Sequence, residues 1–303
     1  MPRTPDEIRR TLRHMAAISK RIAEGIDSDI AALDSELRRL QAELLAIINK
    51  DLISGLSIGE GGIVANGARN LSKVAKVDSI FEKFRRLFLR SLVSIFCQNL
   101  LKVAGKVADY FRASDLRQDS VERVARTNAA IEARIGIADG KLIVGGYLDT
   151  LANTDALKQE LKTFMLRSIT NGVSLADLTA GLASLVVGNA DADGFLVRYF
   201  RQYAYDTFNQ VREIKNQEFA EGLSLKWFLY QGSLIETSRR FCEKRAGKVF
   251  STEETKTWKN DPDLVEQKTK DTYNPLIERG RYNCRHWIDY ISQETADYLN
   301  QNP

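Results

Sequence analysis

The sequence is poor in cysteine and histidine, with three cysteines and two histidines in 303 residues. So small and odd a number of cysteines excludes a disulfide-stabilised scaffold and favours a reducing compartment. Neither sign of charge predominates, because the chain has 44 basic and 40 acidic residues and a net charge of only +4. This balance excludes a strongly basic nucleic-acid coat but permits a local basic patch. The composition, 44% hydrophobic and 28% charged, is that of a globular protein of about two domains.

Long uninterrupted apolar runs are also lacking. The first residues contain no apolar core of a secretory signal, so we expect the protein to be made and assembled in a cytoplasm. The most apolar segment, residues 87–104, includes Arg90, Gln98, Asn99 and Lys102. A charge at the middle of a membrane costs about 3 kcal/mol. We therefore expect a helix that is buried or covered by a partner, and no membrane contact.

Residues 1–54 show the clearest structural signal, which is an amphipathic helical arm. Apolar side chains recur at steps of three and four, and from Ile30 onward the steps alternate as in a heptad seam. The positions are Ile8, Leu12, Met15, Ile18, Ile22, Ile26, Ile30, Leu33, Leu37, Leu40, Leu44 and Ile47. A helix of about 45 residues is a rod of about 70 Å. The pattern predicts either a helical hairpin with residues 70–112 or a coiled coil with other copies or another protein.

The chain after the arm returns to helical spacing after one glycine-rich interruption. Five glycines lie between Gly55 and Gly67, and without a following Lys-Ser/Thr pair they predict a flexible connector, not a phosphate-binding loop. Farther on, Gly172 is expected to stop one helix and Ser174 to cap the next.

The end of the chain changes character. Leu225–Gln231 is strand-like, a hairpin turn is expected at Arg245-Ala246-Gly247, and Ser251–Glu254 resembles a capping box. We therefore predict a mainly α fold, with a long N-terminal helical arm and hairpin, a helical middle, and a small α+β C-terminal module. The expected divisions are an arm at 1–54, a connector at 55–69, a hairpin partner at 70–115, a helical middle domain at 116–224 and the α+β module at 225–303.

The distinctive chemistry is concentrated in two motifs of this module. The first is YQGSLIETSRRFCEKRAGKVF at residues 230–250, and the second is GRYNCRHW at residues 280–287. Together they hold two of the three cysteines and one of the two histidines. So dense a group of rare side chains indicates a small unit with its own architecture.

The two motifs resemble the C-terminal domain of the phage Mu F-like minor head proteins, also called phage head morphogenesis proteins. The matching residues are Tyr230, Thr237, Arg239 or Arg240, Cys242, Arg245, Gly247, Lys248, Cys284, Arg285 and His286. The resemblance covers residues 227–290 well, residues 120–290 loosely and residues 1–115 not at all. The chain departs from the family where Glu236 or Thr237 stands in place of an aspartate, and where His286 replaces a second cysteine after Arg285.

The resemblance implies a virion structural protein at the portal vertex or inner capsid, with a role in head morphogenesis and in DNA packaging or ejection. The implied partners are the portal or capsid protein and packaged DNA, and the implied location is the virion, after assembly in the host cytoplasm. The arm suits an oligomer. No reaction is implied, so we do not expect an enzyme. The alternatives are a virion-carried metal-dependent nuclease or transferase, and a non-viral coiled-coil scaffold.

Three of the motif residues, Cys242, Cys284 and His286, are competent zinc ligands. A fourth ligand is not evident and would have to be Glu236 or Asp289. We favour a small core in which the cysteines act as buried hydrophobes and the arginines hold loop carbonyls. Structural zinc and a Cys242–Cys284 disulfide stay open, and no other cofactor is predicted. A nucleophilic Cys242–His286–Glu236 triad can be drawn, but nothing in the spacing requires it.

Cations are dense in both motifs. Arginines on turns suit phosphate or carboxylate partners, so DNA or an acidic face of the portal protein is an expected partner, with a solvated basic surface as the alternative. The predicted contact residues are Arg239, Arg240, Lys244, Arg245, Lys248, Arg281 and Arg285.

Overall fold

A computed structural model gives the fold, which is mainly helical with a small antiparallel sheet near the C-terminus. This confirms the predicted fold class. The described residues are 3–65, 67–88, 92, 94–114, 116–138, 141–151, 155–265 and 272–302.

The α-helices of the described chain differ widely in length. The α-helices are α1 (Pro5–Asp51), α2 (Ala68–Val74), α3 (Lys76–Phe88), α4 (Ser94–Arg112), α5 (Gln118–Ala125), α6 (Ala129–Ile135), α7 (Tyr147–Leu151), α8 (Asp155–Asn171), α9 (Leu175–Val186), α10 (Phe195–Gly222), α11 (Arg240–Glu243), α12 (Pro275–Glu278) and α13 (Gln293–Gln301). Short 3-10 helices lie at Ile53–Gly55 and Glu254–Asn260.

The strands are short and all pair antiparallel. They are β1 (Ile58–Gly59), β2 (Gly62–Ile63), β3 (Ile137–Ala138), β4 (Lys141–Leu142), β5 (Trp227–Gln231), β6 (Val249–Ser251) and β7 (Trp287–Ile291). The first four form two separate hairpins, and the last three form one sheet in the order β6-β5-β7.

Two compact units make up the chain, and each is assembled from separate stretches of sequence. Unit 1 comprises Met1–Asp29, Asn99–Arg134 and Ala204–Pro303, and unit 2 comprises Ile30–Gln98 and Ile135–Tyr203. The division into five consecutive segments stays a prediction.

Helix α1 begins at a capping box and buries its apolar stripe inside the chain. The N–H and hydroxyl of Thr4 both donate to the carboxylate of Glu7, at 2.8 and 2.9 Å, which satisfies groups that a helix start leaves unpaired. Most of the predicted stripe is buried, while Leu12, Ile30 and Ile47 are only half-buried. A second copy of the chain is therefore not needed to cover the stripe.

The partners of α1 within each unit are helices of the same chain. In unit 1, Lys102 of α4 forms an ion pair with Asp29 at 2.9 Å. In unit 2, Lys83 of α3 forms an ion pair with Asp51 at 2.9 Å. These contacts agree with the hairpin alternative. Helix α10 is a further partner, because the side chain of Gln41 contacts the start of α10 in unit 2.

The glycine-rich segment contains a short hairpin that its composition did not predict. Strands β1 and β2 pair there, and Ile63 N–H donates to the carbonyl of Val173 at 3.0 Å. The buried side chain of Asn70 closes the segment, since it accepts from Ser57 N–H at 2.7 Å and donates to the carbonyl of Val64 at 3.1 Å. Asn66 lies outside the described residues.

The C-terminal sheet has β5 at its centre. Phe228 and Tyr230 on β5 are both fully buried, and with Phe241 and Phe250 they surround Trp258 at ring-centroid distances of 5.2 to 6.1 Å. Most of these contacts are edge-to-face, which is the favoured geometry for aromatic pairs. The predicted capping box is present, because Ser251 and Glu254 bond reciprocally, but it opens a 3-10 helix.

In the part of the chain that the structure describes, no helix is both long and apolar enough to span a membrane. Residues 89–91 and 93, which belong to the apolar segment 87–104, lie outside it.

Two neighbouring leucines of α4 can show which face of the helix is packed against the rest of the chain. Leu100 is fully buried and Leu101 is 41% exposed. We expect Leu100→Ala to lower the free energy of unfolding by about 2–5 kcal/mol, and Leu101→Ala by less than about 0.5 kcal/mol. Denaturant unfolding measures both. An equal loss at Leu101 would mean that another molecule covers this face.

Candidate functional site

Four side chains from the two motifs meet in unit 1, and we call them the cysteine–histidine cluster: Tyr230, Cys242, Cys284 and His286. Strand β5 supplies Tyr230, α11 supplies Cys242, and the turn before β7 supplies the other two. The two sulfur atoms are 3.8 Å apart, and the Tyr230 hydroxyl lies 3.4 Å from Cys242 Sγ and 3.8 Å from Cys284 Sγ. The Nδ1 atom of His286 lies 4.0 Å from Cys284 Sγ. All four side chains are buried.

Glycine at two positions makes this close packing possible. A Cβ atom on Gly280 would lie 2.7 Å from Cys242 Sγ and 3.3 Å from Cys284 Sγ, closer than packed atoms approach. Gly232 has a φ of +128°, and a Cβ there would lie 2.9 Å from the Cα of His286. A side chain at Gly280 would therefore displace the sulfur atoms.

The turn that carries Cys284 and His286 has an unusual backbone. Arg279, Arg281 and Asn283 have φ values of 49°, 68° and 54°, in the left-handed region that costs non-glycine residues about 1–3 kcal/mol each. Arg239 holds this turn, since its guanidinium donates to the carbonyls of Gly280 and Tyr282 at 3.2 and 2.9 Å.

A buried ion pair attaches the same turn to helix α10. Arg279 Nη1 lies 2.9 Å from Glu213 Oε1, and the two side chains are 3% and 0% exposed. Next to this pair, Asn216 of α10 donates to the carbonyl of Ile288 in β7 at 2.9 Å. One face of α10 therefore positions both the turn and the strand that follows it.

A second buried pair lies farther along β7. Asp289 accepts from the hydroxyl of Ser19 at 2.5 Å and lies 3.5 Å from Arg212, whose guanidinium stacks over the ring of Trp287 at 4.7 Å. The carboxylate of Asp289 is thus engaged by its neighbours. It does not serve as the fourth ligand that the sequence left open.

The two thiols do not titrate independently. The hydrogen bond to Cys284, together with burial, raises the pKa of Cys242. The hydrogen bond from Cys242, helped by His286, lowers the pKa of Cys284. The two thiols therefore titrate as one coupled pair, as expected for two close acidic groups. Burial also raises the pKa of Tyr230.

The structure brings together the three predicted metal-ligating residues. Ligand atoms of Cys242, Cys284 and His286 all lie within 4.8 Å of one another. Glu236 is exposed, and among the described residues the Nε2 atom of His286 has no hydrogen-bond partner. A Cys242–His286–Glu236 triad is therefore not assembled, because the imidazole lacks its orienting acid.

The predicted contact cations divide into two groups. Arg245 is buried, donates to the carbonyl of Phe241 at 2.7 Å and forms an ion pair with Asp261 at 2.6 Å. Arg281 is buried and stacks over the ring of Tyr273 at 4.9 Å. Like the half-buried Arg239, these two stabilise the module itself. The exposed cations of this set are Arg240, Lys244, Lys248 and Arg285, of which Lys244 forms an ion pair with Asp263.

Sequence reasoning missed the buried polar face of α10. Arg212, Glu213, Lys215 and Asn216 are all at most 3% exposed. The available signal was the density of polar residues among apolar neighbours such as Phe208, since a surface helix keeps the two kinds of residue on opposite faces.

The carboxyl group of Asp206 on α10 should make the stability of the folded protein depend on pH. Its carboxylate accepts from Asn283 N–H at 2.7 Å. Burial raises the pKa of Asp206, although the Asn283 N–H and Arg279 act in the opposite direction. A raised folded-state pKa means that folding disfavours the ionised form, so the contribution of Asp206 to stability is present at acid pH and is lost as pH rises through that pKa.

We therefore expect wild type to gain stability relative to Asp206→Asn as pH is lowered from about 7 to about 4. Asparagine keeps an oxygen acceptor for Asn283 N–H and removes the charge. Asp206→Ala, the control, removes the acceptor and should be less stable than Asp206→Asn by about 1 kcal/mol at every pH, because neither variant titrates at this position. Denaturant unfolding at several pH values measures all three, and the opposite slope for wild type against Asp206→Asn contradicts the prediction.

Comparison of the chain with protein-family models, with curated proteins and with solved structures found no match.

Proposed function

We propose that this chain is a phage minor head protein, a virion structural component at the portal vertex or inner capsid that acts in head morphogenesis and in DNA packaging or ejection. One observation carries the proposal. Several residues that carry the resemblance lie in one buried cluster. Two of them, Tyr230 and Cys284, are 54 positions apart in the sequence. Residues of two separate motifs that pack into one interior belong to a single folded module. The resemblance is to such a module, the C-terminal domain of the Mu F-like proteins.

A docking role is supported more strongly than a catalytic one. Cys242 and Cys284 are 2% and 3% exposed, whereas a nucleophile must be reached by its substrate. The imidazole of His286 has no acidic partner to orient it in the described part of the chain. The cluster therefore suits a structural role inside the module, with the protein's interactions made on the module's surface.

In this proposal the surface that contacts the partner is formed by exposed cations, namely Arg240, Lys244, Lys248 and Arg285. Arginine and lysine on turns bind carboxylates and phosphates, so an acidic face of the portal or capsid protein, or packaged DNA, is the proposed partner. Oligomerisation through α1 belongs to the proposal as well. Because the apolar stripe of α1 is largely buried in the chain, such a contact would use the polar face of the helix.

We predict that purified virions contain this chain at low copy number and that its deletion impairs head assembly or infectivity. The charge reversals Arg240→Glu and Lys248→Glu should together reduce its incorporation into particles, because they oppose an acidic partner. Quantitative mass spectrometry of the particles measures both results.

The matched control for these charge reversals is Lys256→Glu, an exposed cation of the same module that is paired locally with Glu253. It should leave incorporation unchanged. Particles that lack the chain, or a deletion strain that forms normal infectious heads, would contradict the proposed function.

A further inference from the structure

We propose that Cys242, Cys284 and His286 bind one structural zinc ion, with the Tyr230 hydroxyl at the fourth position. The proposal concerns how the C-terminal module is stabilised, and it holds whether or not the protein is a virion component. Thiolate and imidazole are the ligands that zinc prefers in structural sites, usually four of them in a tetrahedron.

The spacing of the cluster fits such a tetrahedron. Zinc–sulfur bonds of about 2.3 Å place two tetrahedral sulfur ligands about 3.8 Å apart, and Cys242 Sγ and Cys284 Sγ are 3.8 Å apart. The Tyr230 oxygen lies 3.4 and 3.8 Å from the two sulfurs, and His286 Nδ1 lies 4.0 Å from Cys284 Sγ. The ligand atoms of Cys242, Cys284 and His286 all lie within 4.8 Å of one another, so a single ion can reach these three groups with small side-chain adjustments, and the Tyr230 oxygen borders both sulfurs.

The imidazole of His286 lacks strong partners. The side chain is 3% exposed, its Nδ1 has only the 4.0 Å contact with sulfur, and its Nε2 has no hydrogen bond to any described group. Buried polar atoms are normally satisfied, and an exception calls for an unseen ion or another specific cause. A metal ion bound by Nδ1, the nitrogen that faces Cys284 Sγ, would give that nitrogen a strong partner in place of the 4.0 Å contact.

The charges around the cluster suit a divalent cation. Two ligating thiolates carry two negative charges, which one zinc ion balances. The buried guanidinium of Arg279 is already paired with the Glu213 carboxylate at 2.9 Å. Soft sulfur ligands also select zinc over magnesium or calcium, which prefer oxygen.

The backbone around the ligands is built for close approach. Gly280 leaves room where a Cβ would meet both sulfur atoms. Positive φ angles at Arg281 and Asn283 shape the turn just before Cys284, and strained backbone of this kind concentrates at ligand sites. The same turn delivers both Cys284 and His286, which bind as a Cys-x-His pair.

The test is the metal content of the full chain, purified untagged and without chelator. We expect one zinc per chain by elemental analysis and a matching mass increment in native mass spectrometry. Cobalt(II) added to the chelator-treated protein should give the thiolate charge-transfer and visible bands of a tetrahedral cobalt site. Both readings use the wild-type protein, so they stand even where a variant fails to fold.

The chain supplies its own matched controls. Cys242→Ser, Cys284→Ser and His286→Ala should lose the zinc and the cobalt bands, whereas Cys97→Ser and His14→Ala, which change the remaining cysteine and histidine, should keep both. Tyr230→Phe should keep the sulfur-to-cobalt band and weaken metal affinity. Two results overturn the proposal: metal-free protein with three free thiols and no cobalt spectrum, or a Cys242–Cys284 disulfide in freshly prepared protein.

Discussion

The ion pair between Glu213 and Arg279 is the constraint on which the C-terminal module depends. Both side chains are almost completely buried, and a buried pair of this kind is costly to break because one charge is then left without a partner. Arg279 begins the turn that carries Cys284 and His286, and Glu213 lies in the middle of α10. The pair therefore sets the position of the turn relative to α10.

The rest of the module is arranged around that attachment. The aromatic side chains packed about Trp258 fill one part of the interior, and the cysteine–histidine cluster fills another. Arg239 donates a hydrogen bond to the carbonyl of Tyr282, and Arg245 donates one to the carbonyl of Phe241. The motif side chains with the most chemical reactivity point inward, and the exposed motif residues include the cations Arg240, Lys248 and Arg285.

Much of the helical structure followed from the sequence. The length and stripe of α1, and the stop at Gly172 before the Ser174 cap of α9, are local features, set by residues a few positions apart. The strand at β5 and the capping box at Ser251 were equally readable. The concentration of reactive side chains also located the cluster, since rare residue types gathered in two short motifs.

Other features depend on long-range pairing and could not be read locally. Strand β7 pairs with β5 across more than fifty residues of chain, and α13 follows it under a Ser292 cap that was not recognised. The Glu213–Arg279 pair was missed because a charged residue on a helix is normally solvated, and its burial depends on a turn 66 positions away. The burial of Arg245 and Arg281 could not be read locally for the same reason, because it depends on contacts inside the fold such as the ion pair of Arg245 with Asp261.

The most direct test of this account is a double-mutant cycle on Glu213→Gln and Arg279→Met, read as the free energy of unfolding in denaturant. Each single variant should cost about 3–5 kcal/mol, because it leaves one buried charge unpaired. The double variant should cost about as much as either single one, which gives a large coupling energy. Single costs that add in the double variant, or that each stay below about 0.5 kcal/mol, would contradict the account.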